Sequence, residues 1–86
     1  MKFRLFVDFD VAEFMITLTR TEQRALRKRF LEMQDFPTRY VDYHEHDHVG
    51  HRIEISICGR FAIKFWLDHL DKHIKVLEVS LADRAR

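Results

Sequence analysis

One cysteine, one proline and two glycines are all that the 86 residues contain, and each shortage excludes something. A lone Cys58 forbids an intrachain disulfide, so the core must hold itself together. At the end of an apolar strand it reads as a small buried hydrophobe rather than a nucleophile. A single Pro37, with Gly50 and Gly59, leaves little loop freedom and no linker. No apolar run is long enough to span a bilayer. The N-terminus sets Lys2 and Arg4 among Phe and Leu and then turns acidic at Asp8 and Asp10, which is not a secretory signal. The expectation is a cytoplasmic protein without membrane contact. Charge of one sign is lacking too: 15 Lys and Arg oppose 14 Asp and Glu, for a net +1. The six histidines would add six if all were protonated, taking +1 to +7, because their ordinary pKa is about 6.5. Such a balance does not advertise a nucleic-acid binder.

What is present is apolar and aromatic. Hydrophobic residues make up 47% of the chain and eight are Phe, which argues for a packed core and against disorder. The length suits one domain, residues 1–86. A chain of this size buries only about 60–65% of its unfolded surface, so a partner would add stability.

Periodicity orders the elements. Phe3, Leu5, Val7 and Phe9 alternate with Lys2, Arg4 and Asp8, as a half-buried strand requires, and Phe6 interrupts the polar face. Asp10 then caps a short helix with Val11, Phe14, Met15 and Leu18 as its apolar stripe. Thr19 and Glu22 form a capping-box signature for a second helix. Its seam is Leu26, Phe30 and Met33, its outer face carries Arg24, Lys28 and Asp35, and Leu31 stands out exposed. Pro37 ends it. Residues 38–51 are an irregular polar connection or one wide hairpin edge. Ile53, Ile55 and Ile57 then alternate with Arg52, Glu54 and Ser56. After a turn at Gly59-Arg60, Phe61, Ile63, Phe65 and Leu67 alternate with Ala62, Lys64 and Trp66. A turn at 68–72 precedes a last strand, Ile74 to Leu81. The predicted fold is α+β: a mostly antiparallel four-stranded sheet of order β-α-α-β-β-β, with two helices on one face. The other face is expected to show Arg52, Glu54, Ser56, Lys64 and Trp66 to solvent.

This order resembles the RelE/ParE superfamily of bacterial toxins. The resemblance rests on the helix ending Met33-Gln34-Asp35-Phe36-Pro37, on the strand–glycine–strand run from Arg52 through Gly59 to Phe65, and on the final strand from Val76 to Arg84. It implies the toxin of a toxin–antitoxin pair, a type associated with plasmid stabilisation, with a cognate antitoxin as partner. The RelE branch is an endoribonuclease that cuts mRNA on the ribosome and so inhibits translation. The ParE branch poisons DNA gyrase. Arg52 and Arg84 match the family's basic positions. The arginine usual three residues after the turn glycine is Ala62 here, between Arg60 and Lys64, and no tyrosine follows Arg84.

Cleavage by 2′-hydroxyl attack needs a base, positive charge for the phosphorane-like transition state and an acid for the leaving oxygen. Glu54 suits the base, Arg52, Lys64 and Arg84 the charge, and His48 or His51 the acid. Trp66 can stack on a base, and Arg60, Arg24 and Lys28 can track phosphates. The alternative is an ordinary solvated surface, with Glu54 paired to Arg52 or Lys64 for ~0.2–1 kcal/mol. On that reading the scaffold is a non-enzymatic binding module. A third reading takes His44, His46 and His48, which share a side if extended, as a metal site. Their spacing matches no structural zinc signature, so neither metal nor cofactor is expected.

Overall fold

The computed structural model describes residues 2–82. The elements are β1 (Arg4–Val7), α1 (Phe9–Ile16), α2 (Arg20–Asp35), a 3-10 turn (Pro37–Tyr40), β2 (Tyr43–His46), β3 (Arg52–Cys58), β4 (Phe61–Asp68) and β5 (His73–Leu81). The strands form one sheet of order β1-β5-β4-β3-β2. Three pairings are antiparallel, and β1 lies parallel to β5. The α+β class and the two helices are as predicted, but the sheet has five strands rather than four. The added strand is β2, drawn from the polar connection. All four of its residues are exposed, so it carries no alternating burial signal and exists because its backbone pairs with β3.

Sequence accounts for most boundaries. Thr19 and Glu22 close the capping box, each side-chain oxygen accepting the other's backbone N–H at 3.2 Å. The α1 helix starts one turn element earlier than predicted: Asp8, not Asp10, is the N-cap, and Asp10 lies in the first turn. Phe9 therefore begins a helix instead of ending a strand, and it is exposed. Gln34 ties the end of α2 to the start of β1, its side chain and backbone bonding both polar groups of the Phe3 backbone at 2.9 Å. Leu26, Phe30 and Met33 are buried as predicted and Leu31 is exposed. Together with Val11 they pack on Phe61, Ile63, Phe65, Ile74, Val76 and Val79. Cys58 lies half-buried at the edge of this core.

The sheet departs from expectation in the parity of its strands. Cys58 pairs with Phe61 across the two-residue turn Gly59-Arg60, where Gly59 has φ +60°, the left-handed conformation a tight hairpin needs at its first position. Directly opposed residues share a face. Ser56 thus falls with Ile63 and Glu54 with Phe65, on the helix side, while Ile55 falls with Lys64 on the other. Arg29 of α2 confirms this, donating from Nη1 to Ser56 Oγ and to the Ile57 carbonyl, both at 2.8 Å. Glu54 and Ser56 are buried, not displayed, and the face expected to carry Arg52, Glu54, Ser56, Lys64 and Trp66 together does not exist. Lys64 and Trp66 instead share the helix-free face with Ile53, Ile55, Ile57 and Ala62.

Candidate functional site

At the end of the sheet where β3 starts and β4 finishes, the chain leaves a cleft of about 660 Å³. Its wall includes His51, Arg52, Glu54 and Trp66, completed by Thr38 and Val41 from the connection after α2 and by His69 from the β4–β5 turn. Four sequence-predicted residues converge there. Arg52 Nε donates to Glu54 Oε2 at 2.8 Å. That guanidinium is largely exposed, while the Glu54 side chain is only 10% exposed. Glu54 Oε1 is buried with no hydrogen-bond partner among the described residues. An unpartnered carboxylate oxygen in a cleft wall is a proton acceptor held ready.

His51 is positioned by a turn. Asp47 Oδ1 accepts the backbone N–H of His51 at 2.9 Å and of Val49 at 3.0 Å, and Gly50 turns the chain at φ +88°. The N–H of His51, then that of Val49, holds the Asp47 carboxyl below its ordinary range, against a small opposing desolvation; nearby His51 and His48 act in the same direction. Asp47 Oδ2 also lies 3.5 Å from His51 Nδ1, which favours an imidazolium there. The His51 ring stacks against Trp66, centroids 6.4 Å apart at 29°.

The remaining predicted residues do not join the cleft. Lys64 points to the helix-free face and pairs with Glu45 at 3.5 Å. His48 is exposed in the turn ahead of Gly50. Arg60 lies at the opposite end of the hairpin, roughly 20 Å away by strand rise, and binds Glu22 at 2.7 Å. The Thr19 backbone N–H and then Arg60 hold the Glu22 carboxyl below its usual range, burial opposing weakly. Arg24 and Lys28 are exposed on α2. Arg84 lies outside the described residues. His69 was not singled out from sequence; its one signal was a place in the polar turn that abuts Trp66.

The three-histidine arrangement is not formed. His44 and His46 share a side of β2, rings 5.6 Å apart, but His48 has left the strand. Register sets His44 opposite Glu54 and His46 opposite Arg52. Among the described residues, Asp68, Asp71 and His73 bring their potential ligand atoms within 4.8 Å of one another. Asp68 Oδ1 already accepts the Asp71 N–H at 3.0 Å. His73 Nδ1 stands 3.7 Å from Asp71 Oδ2, close enough for attraction but beyond hydrogen-bond reach.

Comparison with solved structures decides what the scaffold is. The archaeal RelE-RelB complex from Pyrococcus horikoshii contains a chain that superposes with a TM-score of 0.84 at 16% identity, covering 98% of this chain and 99% of that one. The fold is that of the RelE toxins. A RelBE toxin–antitoxin complex from Mycobacterium tuberculosis gives a TM-score of 0.80 at 11% identity, over 94% of this chain and 99% of the other. An E. coli RelE toxin mutant in the free state gives 0.73 at 14% identity, over 99% and 88%. No protein-family model matches the chain, nor does any curated protein sequence. The RelE-like fold is therefore carried by backbone geometry at identities where sequence comparison is silent. Among the described residues no helix is long and apolar enough to cross a membrane.

Proposed function

We propose that this chain is the toxin of a toxin–antitoxin pair, a single RelE-like domain acting in the cytoplasm and held inactive by a cognate antitoxin. What supports this reading is the match over nearly the full length of both chains to RelE structures, two of them from complexes with an antitoxin. We further propose that it is an endoribonuclease acting on mRNA at the ribosome. The observation that carries this is the convergence of His51, Arg52, Glu54 and Trp66 on one cleft.

In that cleft Glu54 Oε1 takes the proton from a ribose 2′-hydroxyl. The 2′-oxygen attacks the adjacent phosphorus, and the bond to the 5′-oxygen of the next nucleotide breaks. His51, protonated beside Asp47, delivers a proton to that oxygen. The products are a 2′,3′-cyclic phosphate and a free 5′-hydroxyl. The guanidinium of Arg52 faces the charge gathered on the phosphoryl oxygens, and Trp66 stacks on a base. Lys64 and Arg84 are assigned no step.

The test is pulse-labelling of protein and DNA after induction in a bacterial host. Protein synthesis should fall rapidly with wild type. Glu54→Gln keeps size and hydrogen bonding but removes the base, so inhibition should weaken ~10²–10⁴-fold while the variant stays folded. Loss of DNA synthesis alone would replace the ribosome with gyrase as target. Unchanged rates would leave a binding module.

A further inference from the structure

The helix-free face carries a row of rings that the cleft does not use up. Trp66 is both a cleft residue and the second member of this row. Its indole meets His73 of β5 edge-on at 6.2 Å, and His73 meets Phe6 of β1 in the same way at 5.5 Å. The Arg4 guanidinium stands 5.7 Å from the Phe6 ring centre. With His51 stacked on Trp66 at the other end, the row crosses β4, β5 and β1, transverse to the strands. Register explains it: Arg4 opposes His73, Phe6 opposes Lys75 and Lys75 opposes Trp66, so all of them lie on the side away from the helices. Phe6 and Trp66 are 47% and 42% exposed, although burying rings of that size would stabilise a small core.

Charge on this face is mostly spent within it. Lys64 is matched by Glu45, and Lys75 by Asp8 at 3.4 Å. Arg4 has no carboxylate partner among the described residues. A surface of rings with few free cations suits a ligand that offers flat apolar faces and little demand for phosphate neutralisation. Single-stranded RNA whose bases leave the stack meets that description, and every base has a face to offer.

We infer that the row from Trp66 through His73 to Phe6 is a stacking platform for single-stranded RNA, continuous with the cleft and insensitive to base sequence, with Arg4 receiving a phosphate beyond Phe6. This rests on the reading of the cleft as an RNA site, but binding to the platform needs neither cleavage nor the ribosome.

Trp66 is the only tryptophan, so its fluorescence reports occupancy directly. The purified full chain is titrated with a 2′-O-methyl-uridine octamer, which has no free 2′-hydroxyl to cleave, and with the corresponding dinucleotide. The octamer should quench Trp66 saturably. Phe6→Leu, which keeps apolar bulk but loses the ring, should weaken octamer binding about tenfold, near the middle of the stacking range, and leave the dinucleotide unchanged. Phe6→Tyr should bind like wild type. The fall of log K with log salt should be shallow, with a slope smaller than about 2. Absence of quenching, or equal octamer affinity in Phe6→Leu and wild type, overturns the platform. So does a steep salt slope that no ring substitution alters. Octamer binding without inhibition of protein synthesis keeps the platform and removes the ribonuclease; inhibition without octamer binding removes the platform alone.

Discussion

The two faces of the sheet bury their residues by different means. On the helix side Ile63, Phe65, Ile74 and Val76 lie beneath Leu26, Phe30 and Met33, with none of these seven more than 5% exposed. Burial there comes from one element packing on another. On the other side Ile55 and Ala62 are equally inaccessible, yet neither helix lies over them. They are flanked by long side chains on neighbouring strands, Tyr43 and Lys64 around Ile55. The first arrangement stabilises the fold and cannot open without losing it. The second keeps backbone and isoleucines dry while its outer groups stay free to rearrange around a ligand, which is how a small domain can present a binding face without unfolding.

The sharpest way to break that contrast uses two adjacent residues. Phe65→Ala should cost ~3–5 kcal/mol, a cavity under two helices, and unfolding in urea should show a midpoint near the limit of what a small domain tolerates. Next in size is Arg29→Met, which removes two hydrogen bonds from a guanidinium and strands the buried Ser56 hydroxyl. A loss of ~1.5–3 kcal/mol is expected, and Arg29→Met combined with Ser56→Ala should recover part of it in a double-mutant cycle. Trp66→Ala, one position beyond Phe65, should cost no more than ~1 kcal/mol because its indole is largely open to solvent. A cost comparable to that of Phe65→Ala would show that the open face is a second core.

The smallest expected effect is electrostatic. Asp47 has its folded-state pKa lowered, first by the His51 backbone N–H. Its contribution is therefore fully present above the unfolded value, about pH 4, and is lost as pH falls through the lower folded value. Amide exchange at His51 and Val49 should stay slow down to about pH 4 and quicken below it, and Asp47→Asn should remove that pH dependence while leaving global stability nearly unchanged. An amide of Val49 or His51 that exchanges identically in both proteins would detach the turn from the cleft.

Where reading the sequence missed, it missed between strands rather than within them. The alternation of Ile53, Ile55 and Ile57 was plain, and so was that of Phe61, Ile63 and Phe65. Treating both sets as facing one core led Glu54 and Ser56 to be placed beside Lys64 and Trp66. The correction was available in the turn: two residues between Cys58 and Phe61 make those positions partners, so the even-numbered side of β3 joins the odd-numbered side of β4. No such clue existed for β2, whose residues are polar on both sides, or for His69, which reaches the cleft only because the β4–β5 turn folds toward the end of α2.

The sequence by itself determined the local order: one strand, two capped helices, a glycine hairpin and a last strand, with the helical seams and the resemblance to the RelE/ParE toxins. These follow from interactions within a few residues along the chain, capping, periodicity and turn chemistry. Only the tertiary structure decided that β1 lies parallel to β5, that β2 joins as an edge, that Arg52, Glu54, His51 and Trp66 share a cleft without Lys64, and that Phe6 completes a row of rings. Those depend on which residues oppose one another across strands distant in sequence. A one-residue change of register reverses every face, and no local preference reports it.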